Sequence, residues 1–362
     1  MKQLRLKNTP EQVELVKALG SKDPAISRPA MEAIAALVGP IVQKVLSVAG
    51  SASAIYSDMP YNEDDSPSLP LDLYYGANEN HIQVWSQTMA GGLPTSQVTG
   101  LQEMKFATYT LDSAVSFLKR YARKARLDVL SAAIKRMTEE ILVKQERNGW
   151  AVIMKAAAEA STNSLSHIID STTDDVFQVD DLNRLLTRID RINTAWAGYT
   201  PADNSAAGIT DLYISPEIME QIRAFAYQPM NTRAVPNTDE STAVPLPDGV
   251  RNSIYNAPNV QEIYGVGLTK LLELGDGKKY NTLFDSYYSS TFTGASDQIV
   301  IGVDNSRGAF IRPVATNSDV GTSVRVLPDD QFVARADKTG LYTAVEQGNI
   351  CIDSRAIVGC IV

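Results

Sequence analysis

Histidine and cysteine are nearly absent. The 362-residue chain has two of each, His81 and His167, Cys351 and Cys360. A structural zinc site takes four such ligands, as many as the whole chain has, and none of these form the closely spaced pairs of such a site, so no metal is expected. A Ser or Cys nucleophile would need one of the two histidines as its base. Neither lies in a segment that reads as a rigid scaffold: His81 falls in an acidic stretch and His167 in a Ser/Thr-rich linker, where a surface or hydrogen-bonded polar role is expected. The cysteines read as small apolar residues of a strand-rich tail, a disulfide between them being the alternative. The apolar run Ala33 to Val42 is ten residues long, short of the ~20 needed to span a bilayer. The first residues carry Glu11, Glu14 and Asp23 and no apolar h-region, unlike a secretory signal. A soluble chain with no membrane partner is expected.

Two further absences are local. From Val45 through Met104 there is no Lys and no Arg, while Asp58, Glu63, Asp64, Asp65, Asp72, Glu79 and Glu103 are acidic. No proline occurs between Pro94 and Pro201. Elsewhere the composition is ordinary: 44% hydrophobic, 21% charged, net charge −9. Such a chain is globular, and its negative charge disfavours sequence-blind binding of nucleic acid.

Five segments follow from the punctuation. Residues 1–50 read as a helical arm. Thr9 and Pro10 open a first helix that Gly20 stops, and a second runs from about Pro29 to Ala49 with a kink or break at Gly39-Pro40. Residues 51–111, rich in Pro and Gly, read as an extended two-stranded loop, with strands around Leu71–Trp85 and Met104–Thr110. Residues 112–160 read as one very long helix, capped by Asp112 or Ser113, with Leu127, Leu130, Ile134, Met137 and Ile141 on its apolar face and Gly149 loosening its last third. Residues 161–260 read as an α/β domain. In it, Ser215-Pro216-Glu217 opens a helix straight after the strand Asp211–Ile214, and a Pro-rich loop runs from Gln228 to Asn259. Residues 261–362 are β-rich, with turn signals at Lys338-Thr339-Gly340 and Gln347-Gly348-Asn349. The apolar terminus Ala356–Val362 must be tied into a sheet.

Catalytic signatures are missing. Gly265-Val-Gly267-Leu-Thr-Lys270 has Lys where a dinucleotide fingerprint needs its third glycine, and Gly275-Asp-Gly277 reads as a tight turn. No G-x-S-x-G or H-E-x-x-H occurs, and the paired carboxylates are all adjacent in sequence. No enzyme activity and no cofactor are expected.

The long helix has basic flanks: nine bases against four acids over residues 113–147. A solvated helix face is the plain explanation, and nucleic-acid binding lacks the aromatics or groove-reading motif it needs. Pairing with acidic segments of neighbouring subunits is the third.

The order of elements is informative. A helical arm, a long extended loop, a very long helix, an α/β domain and a β-rich tail resemble the Hong Kong 97-type major capsid proteins of tailed bacteriophages. The phrases Thr110-Leu-Asp-Ser113, Leu212-Tyr-Ile-Ser-Pro-Glu-Ile-Met219 and Asn349-Ile-Cys-Ile-Asp353 with Ala356-Ile-Val358 carry the likeness locally. The resemblance implies an α+β fold with N-arm, E-loop, P-domain with spine helix, and A-domain. It implies self-assembly into the hexamers and pentamers of an icosahedral head around double-stranded DNA. A portal, a separate scaffolding protein and decoration proteins would be further partners, with location in the virion after assembly in the host cytoplasm. An encapsulin-type nanocompartment shell is the alternative on the same fold. The arm reaches the loop in about 50 residues, so no N-terminal processing is expected. The family's namesake cross-links through an E-loop lysine; the stretch from Val45 through Met104 has none, Lys44 and Lys105 only flanking it, so a non-covalent shell is expected. In its place, Glu63, Asp64, Asp65, Asp72, Glu79 or Glu103 are expected to pair with Arg120, Arg123, Lys124 or Arg126 of an adjacent chain.

Overall fold

The computed structural model describes residues 9–70, 103–124, 127–162, 165–196, 208–224, 230–231, 243–244, 262–289, 291–317, 322–329 and 337–362. The chain forms two compact units: residues 1–70, 103–149 and 310–350, and residues 71–102, 150–309 and 351–362.

The first unit is organised around the strand Lys338–Gln347. It pairs antiparallel along its whole length with Tyr109–Leu118, from Lys338↔Leu118 to Gln347↔Tyr109. Its other edge carries Val324–Asp329. The strand Phe310–Thr316 meets it only at Val314↔Gln347 and runs parallel to Ser57–Asn62. One face of this sheet is covered by helices. Val16 and Leu19 from Pro10–Leu19, Met31, Ile34, Val38 and Val42 from Pro24–Val48, and Leu130, Ile134, Met137 and Ile141 from the long helix share one core with Leu111, Val324, Leu341 and Val345.

Several expectations are corrected here. Residues 112–118 do not begin the long helix. They lie in the strand Tyr109–Leu118, whose burial alternates. Leu111, Val115 and Phe117 turn to the core while Thr110, Asp112, Ala114 and Ser116 are exposed, the period of a strand. The long helix itself runs Leu127–Glu159, 33 residues and ~50 Å at ~1.5 Å per residue. Gly149 does not loosen it. A Cβ there would lie 3.0 Å from Ala52 Cβ and 3.3 Å from the Tyr56 ring, so glycine admits a close neighbour.

The second arm helix, Pro24–Val48, starts earlier than expected, capped by Asp23 accepting from the Ala25 amide at 3.0 Å. It passes through Gly39-Pro40 unbroken. At Gly39 the missing Cβ relieves part of the clash with the following ring, and at Arg28-Pro29 the helix continues without that relief. The carbonyls that Pro29 and Pro40 leave unbonded belong to Ala25 and Ala36, both exposed. By length and composition Pro24–Leu46 could cross a membrane. Its apolar face is instead buried in the unit's core. Lys338-Thr339-Gly340, expected as a turn, begins the central strand. Gly340 is needed because a Cβ would sit 3.0 Å from the Val115 carbonyl.

The second unit is a six-stranded sheet in the order Glu262–Ile263, Val266–Lys270, Asp211–Ile214, Ile299–Val303, Ile357–Ile361, Ile168–Asp170. Alternate residues face opposite ways. Leu212, Ile214, Val300, Val358 and Cys360 pack against Leu182, Leu185, Ile189 and Ile192 of the helix Val179–Trp196 and Ile218, Met219 and Ile222 of Pro216–Ala224. Tyr213 lies edge-on to Trp150, with ring centroids 5.0 Å apart, and Tyr280 lies 5.7 Å from the same indole. Ser215 caps its helix as its sequence predicts, accepting from the Ile218 amide at 3.1 Å. The apolar C-terminus is an inner strand of this sheet, fully buried. Most of the Pro-rich loop lies outside the described residues.

Candidate assembly surfaces

Reactive groups are few among the described residues. Among the described residues no group of three or more His, Cys, Asp or Glu side chains is placed to hold a metal ion. Both cysteines are free, which removes the disulfide, and burial pushes each thiol up to about 12. A thiol so raised is no nucleophile at neutral pH. His167 is no exposed linker residue. It is fully buried, with Nδ1 2.9 Å from the Ile357 carbonyl, and burial holds its pKa below the usual 6.5. His81 lies outside the described residues.

The second unit also carries a buried ionic cluster that the sequence reading missed. Asp304 and Asp353 each cap a short 3-10 turn, Asn305–Arg307 and Ser354–Ala356. Arg307 joins them, 3.2 Å from Asp304 and 3.5 Å from Asp353, and Arg355 Nε lies 2.6 Å from Asp353. Burial alone would raise the Asp353 pKa, but the Arg355 guanidinium outweighs it and holds the carboxyl below its ordinary value. The signal was there: two Asp residues, each followed within three positions by Arg at a strand end.

The candidate contact residues are distributed as follows. Glu63, Asp64 and Asp65 are exposed on the turn after the strand Ser57–Asn62. Glu63 accepts from Asn317 Nδ2 at 2.8 Å. Glu103 is exposed in Glu103–Lys105, which pairs with Ser68–Pro70. Asp58 is already used, paired with buried Arg312 of its own chain at 2.5 Å. On the basic side, Arg120, Arg123 and Lys124 share one short helical turn directly after the strand Tyr109–Leu118. Arg120 and Lys124 are exposed, Arg120 stacking its guanidinium 5.0 Å from the Tyr121 ring centre. Arg123 is committed within the chain. Its Nε donates to the Gly20 carbonyl at 2.8 Å and its Nη2 to Asp337 at 3.0 Å, so it ties the first arm helix to this turn. Glycine is required at position 20 because a Cβ would come within 2.5 Å of the Arg123 amide. Asp72, Glu79 and Arg126 lie outside the described residues.

One polar cluster sits where Tyr61 and Thr108 come together at the sheet of the first unit. Glu346 Oε1 accepts from Tyr61 Oη and from Thr108 Oγ1, both at 2.9 Å. Burial and then the Glu346 carboxylate push the Tyr61 phenol up to about 12. Next to it, Tyr109 Oη receives Asn349 Nδ2 at 2.6 Å and Gln347 Nε2 at 3.3 Å.

No protein-family model matches the sequence, and no curated protein matches it. Solved structures do resemble the fold. A subunit of the empty gene-transfer-agent (GTA) capsid superposes with a TM-score of 0.51 over 87% of this chain and 91% of that one, at 11% identity. The mature capsid chain of bacteriophage PhiM1 gives 0.50 over 86% of each chain, at 10% identity. The chain has the Hong Kong 97-type capsid fold. In this Hong Kong 97-type chain, identities this low establish architecture and nothing about individual residues. The holo-SrpI encapsulin of Synechococcus elongatus PCC 7942 is at 0.40, too low to argue from.

Proposed function

We propose that the chain is the major capsid protein of a tailed double-stranded DNA bacteriophage, a structural subunit with no catalytic role. Copies assemble into hexamers and pentamers that close into an icosahedral head around the genome. The observation that carries this is the fold likeness to phage and gene-transfer-agent capsid chains over 86–87% of the sequence. The physics agrees. Glu63, Asp64, Asp65 and Glu103 form exposed acidic surface on the described legs that a neighbouring copy would cover, and a repeated head-to-tail contact closes into rings. A portal and a separate scaffold are the chain's proposed partners, with decoration proteins an optional addition, and the packaged DNA is met without sequence preference.

The acids Glu63, Asp64, Asp65 and Glu103, with Asp72 and Glu79, are proposed to face Arg120, Lys124 and Arg126 of an adjacent copy, Arg123 being spent at home. Electron microscopy of the purified chain tests the reading. Closed shells of head size that take up DNA support it. Small shells packed with protein cargo would move it to the encapsulin alternative, and discrete small oligomers would reject both.

A further inference from the structure

Two legs flank residues 71–102, which lie outside the described residues: 57–70 going out from the sheet of the first unit and 103–108 returning to it. The legs are zipped to each other by the pairing of Ser68–Pro70 with Glu103–Lys105 and by the Phe106 amide donating to the Pro67 carbonyl at 3.0 Å. That zipper joins leg to leg. It does not fix the pair to the sheet. Among the described residues, one side chain bonds both legs. Glu346, near the end of the strand Lys338–Gln347, accepts from Tyr61 on the outgoing leg and Thr108 on the returning leg through the same oxygen.

The backbone on either side of this carboxylate is held as well. The Tyr61 carbonyl accepts from Thr316 Oγ1 at 2.8 Å, and the Glu63 amide donates to the Thr316 carbonyl. Gly348 lets the returning leg come close, since a Cβ there would lie 2.9 Å from the Ala107 carbonyl. The Gly348 amide donates to the Pro313 carbonyl at 2.9 Å. Each leg is thus seated on its own strand, and Glu346 is where the two seats are joined.

We propose that Glu346 is a positioning residue for assembly: by holding Tyr61 and Thr108 together it fixes how the legs 62–70 and 103–108 stand on the sheet, and so how their exposed acids are presented to a neighbouring copy. This rests on the shell-subunit reading. Its chemistry is specific enough to dissect. Glutamine keeps the Oε1 acceptor and its two lone pairs, leucine keeps the bulk and removes the acceptor, and the donors can be deleted from the other side.

The experiment uses the full chain as wild type, Glu346→Gln, Glu346→Leu and the double variant Tyr61→Phe/Thr108→Val. Three quantities are read: melting of the unassembled subunit, shell yield and diameter, and amide exchange at residues 62–70 and 103–108. Glu346→Gln is expected to behave as wild type. Glu346→Leu and the double variant are expected to melt close to wild type, exchange faster on both legs, and lose about tenfold in shell yield or lose uniform diameter, as removal of two hydrogen bonds implies. Wild-type yield and diameter in both variants overturn the proposal. So does a yield lost only in proportion to folded subunit in Glu346→Leu while the double variant assembles normally. If wild type forms no shell, the shell reading fails on its own. The exchange data then decide the clasp, and unchanged exchange in Glu346→Leu overturns it.

Discussion

Asp353 lies between two guanidinium groups in a mostly buried site, and His167 fills a fully buried position against the strand that follows. Removing one partner of a buried ion pair leaves the other charge uncompensated, at a cost of about 3–5 kcal/mol. Asp353→Ala is therefore expected to lower the urea midpoint sharply, whereas Asp64→Ala on the exposed turn should leave it within experimental scatter. The two buried groups act in different pH windows. His167 has a folded pKa below 6.5, so its unfolded form binds a proton that the folded form refuses. Its contribution is complete above pH ~6.5 and is lost as pH falls from there, with a slope of up to ~1.4 kcal/mol per pH unit. Asp353 is also held low, but its contribution is complete above ~3.9 and falls only below that. Between pH 6.5 and 5 the histidine thus acts alone of the two. Urea titrations at pH 7.5, 6.0 and 5.0 should show wild type losing stability faster than His167→Asn. Parallel curves would remove His167 as the cause.

At the scale of elements, the apolar faces were legible because helix and strand periods differ. The long helix announced itself through Leu130, Ile134, Met137 and Ile141, all buried as expected. The terminal strand did so through an apolar run with nowhere else to go. What misled was punctuation. Asp112 and Ser113 look like a helix cap, yet the alternation of Leu111, Val115 and Phe117 carries the strand through them. Gly39-Pro40 looks like a break, yet the helix runs through it, as it does through Arg28-Pro29, the carbonyls left unbonded being exposed. Gly340 and Gly149 look like turn or loosening signals, yet both admit a close neighbour, which no local pattern encodes. Gly149→Ala tests this reading. Helix propensity alone would favour alanine by up to ~1 kcal/mol. The new Cβ at 3.0 Å from Ala52 and 3.3 Å from Tyr56 introduces overpacking worth about 1–3 kcal/mol. The net expectation is destabilisation, read as a lower melting temperature of the subunit. A higher one would show that propensity wins.

At the scale of the whole molecule, the architecture was readable from the order of elements, while the contacts between copies are a proposal that composition raised. Composition located an acidic segment and a basic one, but not that Asp58 and Arg123 are used within the chain, since their partners Arg312 and Asp337 are remote in sequence. That changes the test of assembly. The absence of lysine from Val45 through Met104 leaves no amine there for a covalent link. Boiled particles should therefore run as monomer near 39.3 kDa, and an SDS-resistant ladder would contradict this. Non-covalent contacts must then hold the shell, and the exposed charges are the specific ones available. Each exposed pair contributes only ~0–1 kcal/mol, but an assembly repeats the contact in every subunit. Screening shortens to ~3 Å at ~1 M salt, so shell yield should fall as salt rises. Arg120→Glu with Lys124→Glu should depress assembly while the subunit melts as wild type, because both side chains are exposed. Arg123→Glu should behave differently. It breaks the bond to Gly20 and sets a carboxylate against Asp337, so the folded subunit itself should lose stability. Equal assembly by the Arg120/Lys124 variant and wild type at low salt would mean that these bases face solvent in the shell, and that apolar contacts hold the copies together.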